Sequence, residues 1–147
     1  MHKALIDRRI DEFHHQKLNC AEVVLLTAGE ILGVCGAFCP RIATPFGGGM
    51  AGTQHTCGAL SGALMVVGLM KGREPGGDKA PAYDAGKDLL KWFEARFGSC
   101  ACRPLIDLDL GAQADREAFR APGGRHETVC EPMARAVIEE LIARFGQ

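Results

Sequence analysis

The stretch that decides the fold is CGALSGALMVVGLM, residues 57–70. It is apolar on all sides except at Ser61, which predicts a buried central helix rather than an amphipathic surface helix. Small residues that allow a neighbouring backbone to approach closely recur along it at helical spacing: Gly58, Ala59, Gly62 and Ala63. At about 14 residues, the run is shorter than the about 20 residues that a membrane span requires. We therefore expect no membrane-spanning helix here.

Helical periodicity continues on both sides of this stretch. The predicted helices are Lys3–Gln16, a second one capped by Asn19 that runs to about Leu32, a third from Ala82 to a C-terminal cap at Gly98, and a last one that opens at Thr128. Thr128 and Glu131 have the spacing of a capping box. No segment alternates with period two over a useful length. The sequence therefore predicts one all-α domain over residues 1–147, a bundle of about five helices around the central one.

The connections between these helices are predicted to be irregular. Residues 35–52 are rich in proline and glycine, and residues 72–81 are polar. Residues 99–124 show only a short helical turn, around Asp115–Phe119.

Composition excludes several classes of protein. Of the 147 residues, 47% are hydrophobic and the formal net charge is −1, so the chain is neither disordered nor strongly charged. This balance gives no electrostatic reason to expect nucleic acid or an anionic membrane as a partner. Asp7, Arg8 and Arg9 interrupt any apolar core of a secretory signal. We expect a cytoplasmic protein.

The chain has seven cysteines, an unusual number for its length. An odd number in a reducing compartment argues against a simple framework of structural disulfides. Metal ligation, a redox couple and buried inert thiols all remain open.

Three of the cysteines fall at predicted helix starts. Cys20 follows the cap Asn19, Cys57 opens the central helix, and Cys130 lies two residues after Thr128. Unpaired backbone N–H groups and the positive end of the helix dipole favour a thiolate there. A thiolate is the form that binds metal or attacks a disulfide, so these positions are candidates for a functional site.

The local cysteine motifs are weak individually. Cys100-Ala101-Cys102 is too closely spaced for the usual zinc ribbon, and Cys35 and Cys39 form a CxxxC in a predicted loop. The chain has no CxxCH, which excludes attachment of c-type haem by that motif, and no CxxC of the thioredoxin type.

Two further features have an ordinary structural interpretation beside a functional one. The run Gly47-Gly48-Gly49 lacks the Gly-Lys-Ser/Thr of a phosphate-binding loop. We interpret it as a tight turn that lets another backbone segment or a metal cluster approach closely. His55 is either a ligand or proton carrier, or an exposed loop histidine. Cys57 with His55 or His126 is a conceivable nucleophile pair, but no spacing singles it out.

Several motifs of the chain belong together: Asn19-Cys20-Ala21-Glu22-Val23-Val24-Leu25, Phe46-Gly47-Gly48-Gly49-Met50 leading to Cys57-Gly58-Ala59-Leu60-Ser61-Gly62-Ala63-Leu64-Met65 and Gly68-Leu69, Phe97-Gly98-Ser99 with Cys102 and Leu105, and Cys130 at the last helix. Over nearly the whole chain they resemble the family of redox-active proteins named for its C-GCAxxG-C-C cysteine pattern. Thr56-Cys57-Gly58-Ala59 stands where the family name has Gly-Cys-Ala.

The resemblance implies which residues act. The cysteines at the family positions are Cys20, Cys57, Cys102 and Cys130, and the loop residues beside them are Gly47, Gly48, Gly49 and Gly58. Cys35, Cys39 and Cys100 are then extras of this chain, with Cys100 as a resolving thiol or alternative ligand. A related domain occurs in split-Soret cytochrome c, where a cysteine-ligated iron–sulfur centre accompanies haem.

Three hypotheses follow. The first is an electron-transfer or redox protein that uses the four cysteines as iron–sulfur ligands or as reversible disulfides, with an unidentified redox partner. The second is a zinc-binding or interaction module without redox activity, in which the small-residue helix forms a homodimer interface. The third is an enzyme with a cysteine nucleophile. The sequence does not decide whether the protein is an enzyme.

Overall fold

The computed structural model describes residues 2–36 and 39–146. Over these residues all regular secondary structure is helical, which confirms the all-α prediction. The α-helices are α1 (Lys3–His14), α2 (Cys20–Ile31), α3 (Cys39–Ala43), α4 (Gly58–Lys71), α5 (Ala80–Phe97), α6 (Cys102–Ile106), α7 (Gln113–Arg120) and α8 (Glu131–Phe145). A 3-10 turn, Thr44–Phe46, follows α3, and a π-helical turn, His126–Cys130, precedes α8. The helices are more numerous than the sequence indicated.

Helix α4 packs against α2, α5 and α8, as expected for a central helix. Its small residues face α2: a Cβ atom built on Gly62 would lie 2.6 Å from the Ala21 carbonyl oxygen. The predicted close approach of a second backbone is confirmed, and the partner is α2 of the same chain. This stripe is therefore not free to form an interface with a second copy.

The last turn of α4 departs from the prediction of a helix buried on all sides. Leu60, Val66 and Val67 are buried, whereas Leu69 is 45% exposed. Neighbouring helices cover only the first three turns, so the apolar residues at the end of the stretch reach the surface.

Asn19 caps α2 as predicted. Its side-chain oxygen accepts hydrogen bonds from the backbone N–H groups of Ala21 (3.1 Å) and Glu22 (2.9 Å). The Glu22 carboxylate accepts one from the Asn19 N–H at 2.9 Å, which completes a capping box. The start of α2 is thereby fixed, and Cys20 is its first residue.

Two predicted irregular regions contain helix. Residues 35–52 include α3 and the 3-10 turn, and residues 99–124 include α6 and α7. The short helical turn predicted around Asp115–Phe119 is observed as α7. Helices α3 and α6 have only five residues each, too few to show an apolar period, which explains why the sequence did not predict them. Helix α1 ends at His14 rather than Gln16, and α5 starts at Ala80 rather than Ala82.

The predicted capping box at Thr128 is wrong. The Thr128 hydroxyl donates to the Gly124 carbonyl oxygen, 3.0 Å away, and α8 begins only at Glu131. The Glu131 carboxylate is bonded to two histidines, His14 and His126, instead of to a helix N-terminus. A tertiary contact thus replaces the local one.

Among the described residues, no helix combines the length and hydrophobicity needed to cross a lipid bilayer.

A candidate cysteine site at four helix starts

One cavity of about 110 Å³ is lined by four cysteines from distant parts of the sequence. They are Cys20, Cys57, Cys102 and Cys130. None of the four is paired in a disulfide. The structure therefore brings together the four cysteines that the sequence singled out.

Each of these cysteines lies at the start of a helix. Cys20 is the first residue of α2 and Cys57 is the N-cap of α4. Cys102 begins α6, although the sequence placed it beyond a helix end, and Cys130 closes the π-helical turn just before α8. The starts of four helices thus converge on the cavity.

Backbone hydrogen bonds hold the segments of Cys57 and Cys102 side by side. The Cys57 N–H donates to the Cys100 carbonyl oxygen at 2.7 Å, and the Cys102 N–H donates to the His55 carbonyl oxygen at 2.7 Å. Between these bonds, Thr56 and Ala101 form an isolated antiparallel bridge. This short pairing fixes the spacing of two of the four sulfurs.

Glycines make room for the cysteine side chains. A Cβ atom on Gly58 would collide with the Cys20 sulfur, and one on Gly49 would lie 2.8 Å from the Cys102 Cβ. Gly48 lines the cavity, and Gly47 packs on the side chain of Asn19. The interpretation of this loop as a tight turn beside the site agrees with these contacts. Side chains at these glycines would fill the space around the thiols.

The thiols are not activated by their position, contrary to the expectation from the helix starts. Burial raises the pKa of Cys57 to about 12 and that of Cys102 to about 11. The pKa values of Cys20 and Cys130 are also raised, mainly by burial. Backbone N–H groups at the helix starts do lower the pKa of Cys20 and Cys57, but by less than burial raises it.

The four thiols also oppose one another's ionisation. Negative charges on Cys20, Cys57 and Cys102 each raise the pKa of Cys130, after the larger effect of burial. Four thiolates in one cavity therefore require a positive charge among them. A metal ion or cluster supplies such a charge, and a coordinating thiol gives up its proton.

Two basic side chains line the same cavity, Arg120 and His126. Arg120 ends α7, and its guanidinium lies 5.3 Å from the centre of the Phe119 ring. The sequence did not predict Arg120 at the site, because nothing in the local pattern shows which way a surface arginine turns.

His126 is only 5% exposed. Its Nδ1 lies 2.8 Å from the Glu131 carboxylate, which also contacts Nδ1 of the half-exposed His14 at 2.8 Å. Burial lowers the pKa of His126, and the nearby charge of Arg120 lowers it further. The sequence named His126 only as one conceivable partner of Cys57. The signal available in the sequence was the position of an acidic residue, Glu131, five residues after His126.

The two secondary candidates lie outside the cavity lining. The Cys100 sulfur is 3.9 Å from the Glu94 carboxylate, and burial is the main reason that its pKa is raised. His55 is exposed, with Nδ1 2.8 Å from the Thr53 hydroxyl. Only their backbone carbonyl groups support the site, through the hydrogen bonds to Cys57 and Cys102.

Cys35 and Cys39 form a disulfide, with their Cα atoms 5.4 Å apart. The sequence treated both as extra cysteines and did not predict that they pair. They do not line the cavity, and Cys35 packs on Gly29 in α2.

The cavity has the properties of a site for a thiophilic metal. Its donor set is four thiols, the glycines leave space between them, and its walls are largely apolar. The Cys57 thiol has one weak partner, the Met133 sulfur 3.8 Å away. Four cysteine thiolates are the ligand set of both the common iron–sulfur clusters and structural zinc. Among the described residues, the ligand atoms that lie within 4.8 Å of one another as a group of three are those of His14, His126 and Glu131. No three of the described cysteine sulfurs come that close, so the spacing suits a cluster better than a single zinc ion.

Comparison with known proteins gives one family. The sequence model described as "Putative redox-active protein (C_GCAxxG_C_C)" matches residues 18–143, a range that contains all four cavity cysteines. Neither the curated proteins nor the solved structures gave a match. Because the family match covers most of its length, the chain belongs to this C_GCAxxG_C_C family, whose description supports a general redox role.

Proposed function

We propose that the protein carries electrons through an iron–sulfur cluster held by the four cavity cysteines. The ligands are Cys20, Cys57, Cys102 and Cys130. The observation that carries the proposal is that all four line one cavity, although residues 20 and 130 are far apart in the sequence. The family description supports the redox part of the proposal.

The open volume of the cavity that the thiols line favours a bound group over direct disulfides. The cavity measures about 110 Å³, and all four cysteines are free thiols. A site that worked by forming disulfides needs only two sulfurs in contact. Thiols around an open volume are instead suited to a group that each of them binds.

The surroundings of the cysteines suit a redox centre. Phe119, Ile106 and Met133 are buried and form an apolar part of the cavity wall. Arg120 places a positive charge near the thiolates and offsets part of their negative charge. The cluster, when bound, supplies one-electron chemistry by the change of iron between its ferric and ferrous states.

The decisive experiment is anaerobic purification followed by iron, zinc and acid-labile sulfide analysis. We expect iron and sulfide in comparable amounts in the wild-type protein, with a visible absorption that bleaches on reduction. The double variant Cys20→Ser, Cys57→Ser removes two ligands and is expected to lose most of the iron and sulfide. Cys100→Ser is the matched control, because Cys100 lies outside the cavity, and it keeps them.

Each other outcome contradicts the proposal in a defined way. Zinc without sulfide supports a structural metal site instead. Metal-free protein with a titratable dithiol among the four cysteines supports reversible disulfides. Equal iron and sulfide in wild type and in the double variant Cys20→Ser, Cys57→Ser excludes this cavity as the cluster site.

A further inference from the structure

We propose that His126 is a further metal ligand of the cysteine cavity, binding through Nε2. The inference rests on the proposed function for the presence of a metal. It adds a nitrogen donor to the four cysteines of the family pattern, and this donor is not His55, the histidine that the sequence analysis named as a candidate ligand.

The first observation is a buried ring nitrogen without a hydrogen-bond partner. Nε2 of His126 is buried and has no hydrogen-bond partner among the described residues. Leaving a buried polar group without a hydrogen-bond partner destabilises the folded protein. His126 lines the cavity together with the four cysteines, so a ligand in that cavity is the partner within reach.

The second observation is the partner of the other ring nitrogen. Nδ1 of His126 lies 2.8 Å from the Glu131 carboxylate. An ionised carboxylate only accepts hydrogen bonds, so Nδ1 carries a proton, and in the neutral imidazole Nε2 then keeps its lone pair. Metal-binding histidines typically donate their second ring N–H to a carboxylate in this way, which orients the ring and strengthens the ligand.

The ring is also held from both sides. Phe13 packs on it with ring centres 4.4 Å apart, and Phe119 meets it edge to face at 5.3 Å. On the far side of Glu131, Nδ1 of His14 makes a second contact with the same carboxylate at 2.8 Å. His126 therefore has little freedom to turn Nε2 elsewhere.

His126 and Cys130 belong to the same local structure. They are the first and last residues of the π-helical turn that leads into α8. Turns of this kind are rare and often occur at functional sites. Here the turn places two cavity-lining side chains four residues apart on one segment.

Five donor atoms then surround a group that four cysteines suffice to bind. With His126 bound, one cysteine becomes an exchangeable ligand or a free thiol beside the metal. Histidine in place of cysteine also raises the reduction potential of an iron–sulfur centre. The proposal therefore predicts a more oxidising centre than four cysteines give.

The test uses cadmium, a thiophilic probe with a magnetic nucleus, added to reduced, metal-free protein labelled with ¹⁵N-histidine. We expect one bound ¹¹³Cd resonance that is scalar-coupled to an imidazole nitrogen. The coupling is lost in His126→Phe, which keeps an aromatic ring in the Phe13–Phe119 packing. It is retained in His55→Phe, the matched control at an exposed histidine outside the cavity lining. Glu131→Gln is expected to weaken cadmium binding about tenfold.

The wild-type spectrum decides the question even if His126→Phe does not fold. Bound cadmium without coupling to a histidine nitrogen overturns the proposal, as does protein that binds no cadmium. The iron and sulfide analysis is independent of this result. Coupling without iron and sulfide refutes the cluster and leaves His126 as a ligand, whereas iron and sulfide without coupling refutes His126 alone.

Discussion

The side chain of Arg120 is the permanent positive charge in the cavity lining among the described residues. Four thiolates around a cluster give the centre a net negative charge, and reduction adds one more. A nearby cation stabilises the more negative, reduced form more than the oxidised form. Arg120 is exposed at the surface, so water screens part of this effect.

We predict that Arg120→Gln lowers the reduction potential of the bound cluster, by on the order of tens of millivolts. Protein-film voltammetry or a mediated redox titration measures the shift. Arg144→Gln is the control, because Arg144 lies near the end of α8, donates to the Glu140 carboxylate and is not part of the cavity lining. Equal shifts in both variants would mean that Arg120 acts only through the net charge of the protein.

At the scale of single residues, the sequence identified the cysteines better than their surroundings. Cys20, Cys57 and Cys130 were recognisable from helix starts, and Cys102 came from the family resemblance. The raised pKa values were not predictable, because the argument from helix dipoles contains no information on burial. His126 was missed as a ligand because its role depends on a carboxylate that the sequence assigned to a helix cap.

At the scale of helices, the contact between α2 and α4 sets the position of two cavity cysteines. Cys20 begins α2 and Cys57 caps α4, so any separation of these helices moves their sulfurs apart. A Cβ atom at Gly62 would lie 2.6 Å from the Ala21 carbonyl oxygen, and backbone at such a contact cannot move aside cheaply. Gly68, on the same helix, has nothing within 4 Å of its Cβ position.

We predict opposite effects for alanine at these two glycines. Gly62→Ala overpacks the interface and is expected to lower the free energy of unfolding by about 1–3 kcal/mol. Gly68→Ala is expected to raise it by about 0.5–1 kcal/mol, because alanine favours the helix. Urea unfolding of both variants measures the difference. Equal effects would show that α2 and α4 tolerate a wider spacing than the structure has.

Helices long enough to repeat their apolar pattern were predictable with nearly correct bounds. The helix predicted from Asn19 to about Leu32 is observed as Cys20–Ile31, and Gly98 ends α5 in the left-handed conformation. Helix α7 was predicted only as a short turn around Asp115–Phe119, and helices α3 and α6 were not predictable, since each has too few turns for a period to appear. The start of α8 was misplaced because Thr128 and Glu131 fit a capping box by spacing alone.

At the scale of the whole molecule, the site exists only when the chain is folded. Its four cysteines come from residues 20 to 130 and meet where the starts of α2, α4 and α6 and the turn before α8 converge. Periodicity predicted the helices but contains no information on how their ends are arranged. Only the family resemblance grouped the four cysteines before the structure did.

This dependence on folding makes the stability of the metal-free protein sensitive to pH. The folded pKa values, about 12 for Cys57 and about 11 for Cys102, lie above the ordinary value of 9.0 that applies to the unfolded chain. Well below pH 9 these thiols are protonated in both the folded and the unfolded protein, and their contribution to the free energy of unfolding is fully present. As the pH rises towards the folded values, the unfolded chain loses protons first, which favours unfolding.

We predict that the free energy of unfolding of the reduced, metal-free protein falls as the pH is raised from 9 to 10.5. Each buried cysteine with a raised pKa lowers the free energy of unfolding by up to about 1.4 kcal/mol per pH unit in this range. Cys57→Ser removes one ionisable thiol while lysines and tyrosine titrate as before, so its decline is expected to be shallower by that amount. Urea titrations at a series of pH values, under reducing and anaerobic conditions, measure both slopes. Parallel slopes for wild type and Cys57→Ser would show that the Cys57 thiol ionises as easily in the folded protein as in the unfolded chain. That result is incompatible with a desolvated cavity, in which thiolates form only beside a cation.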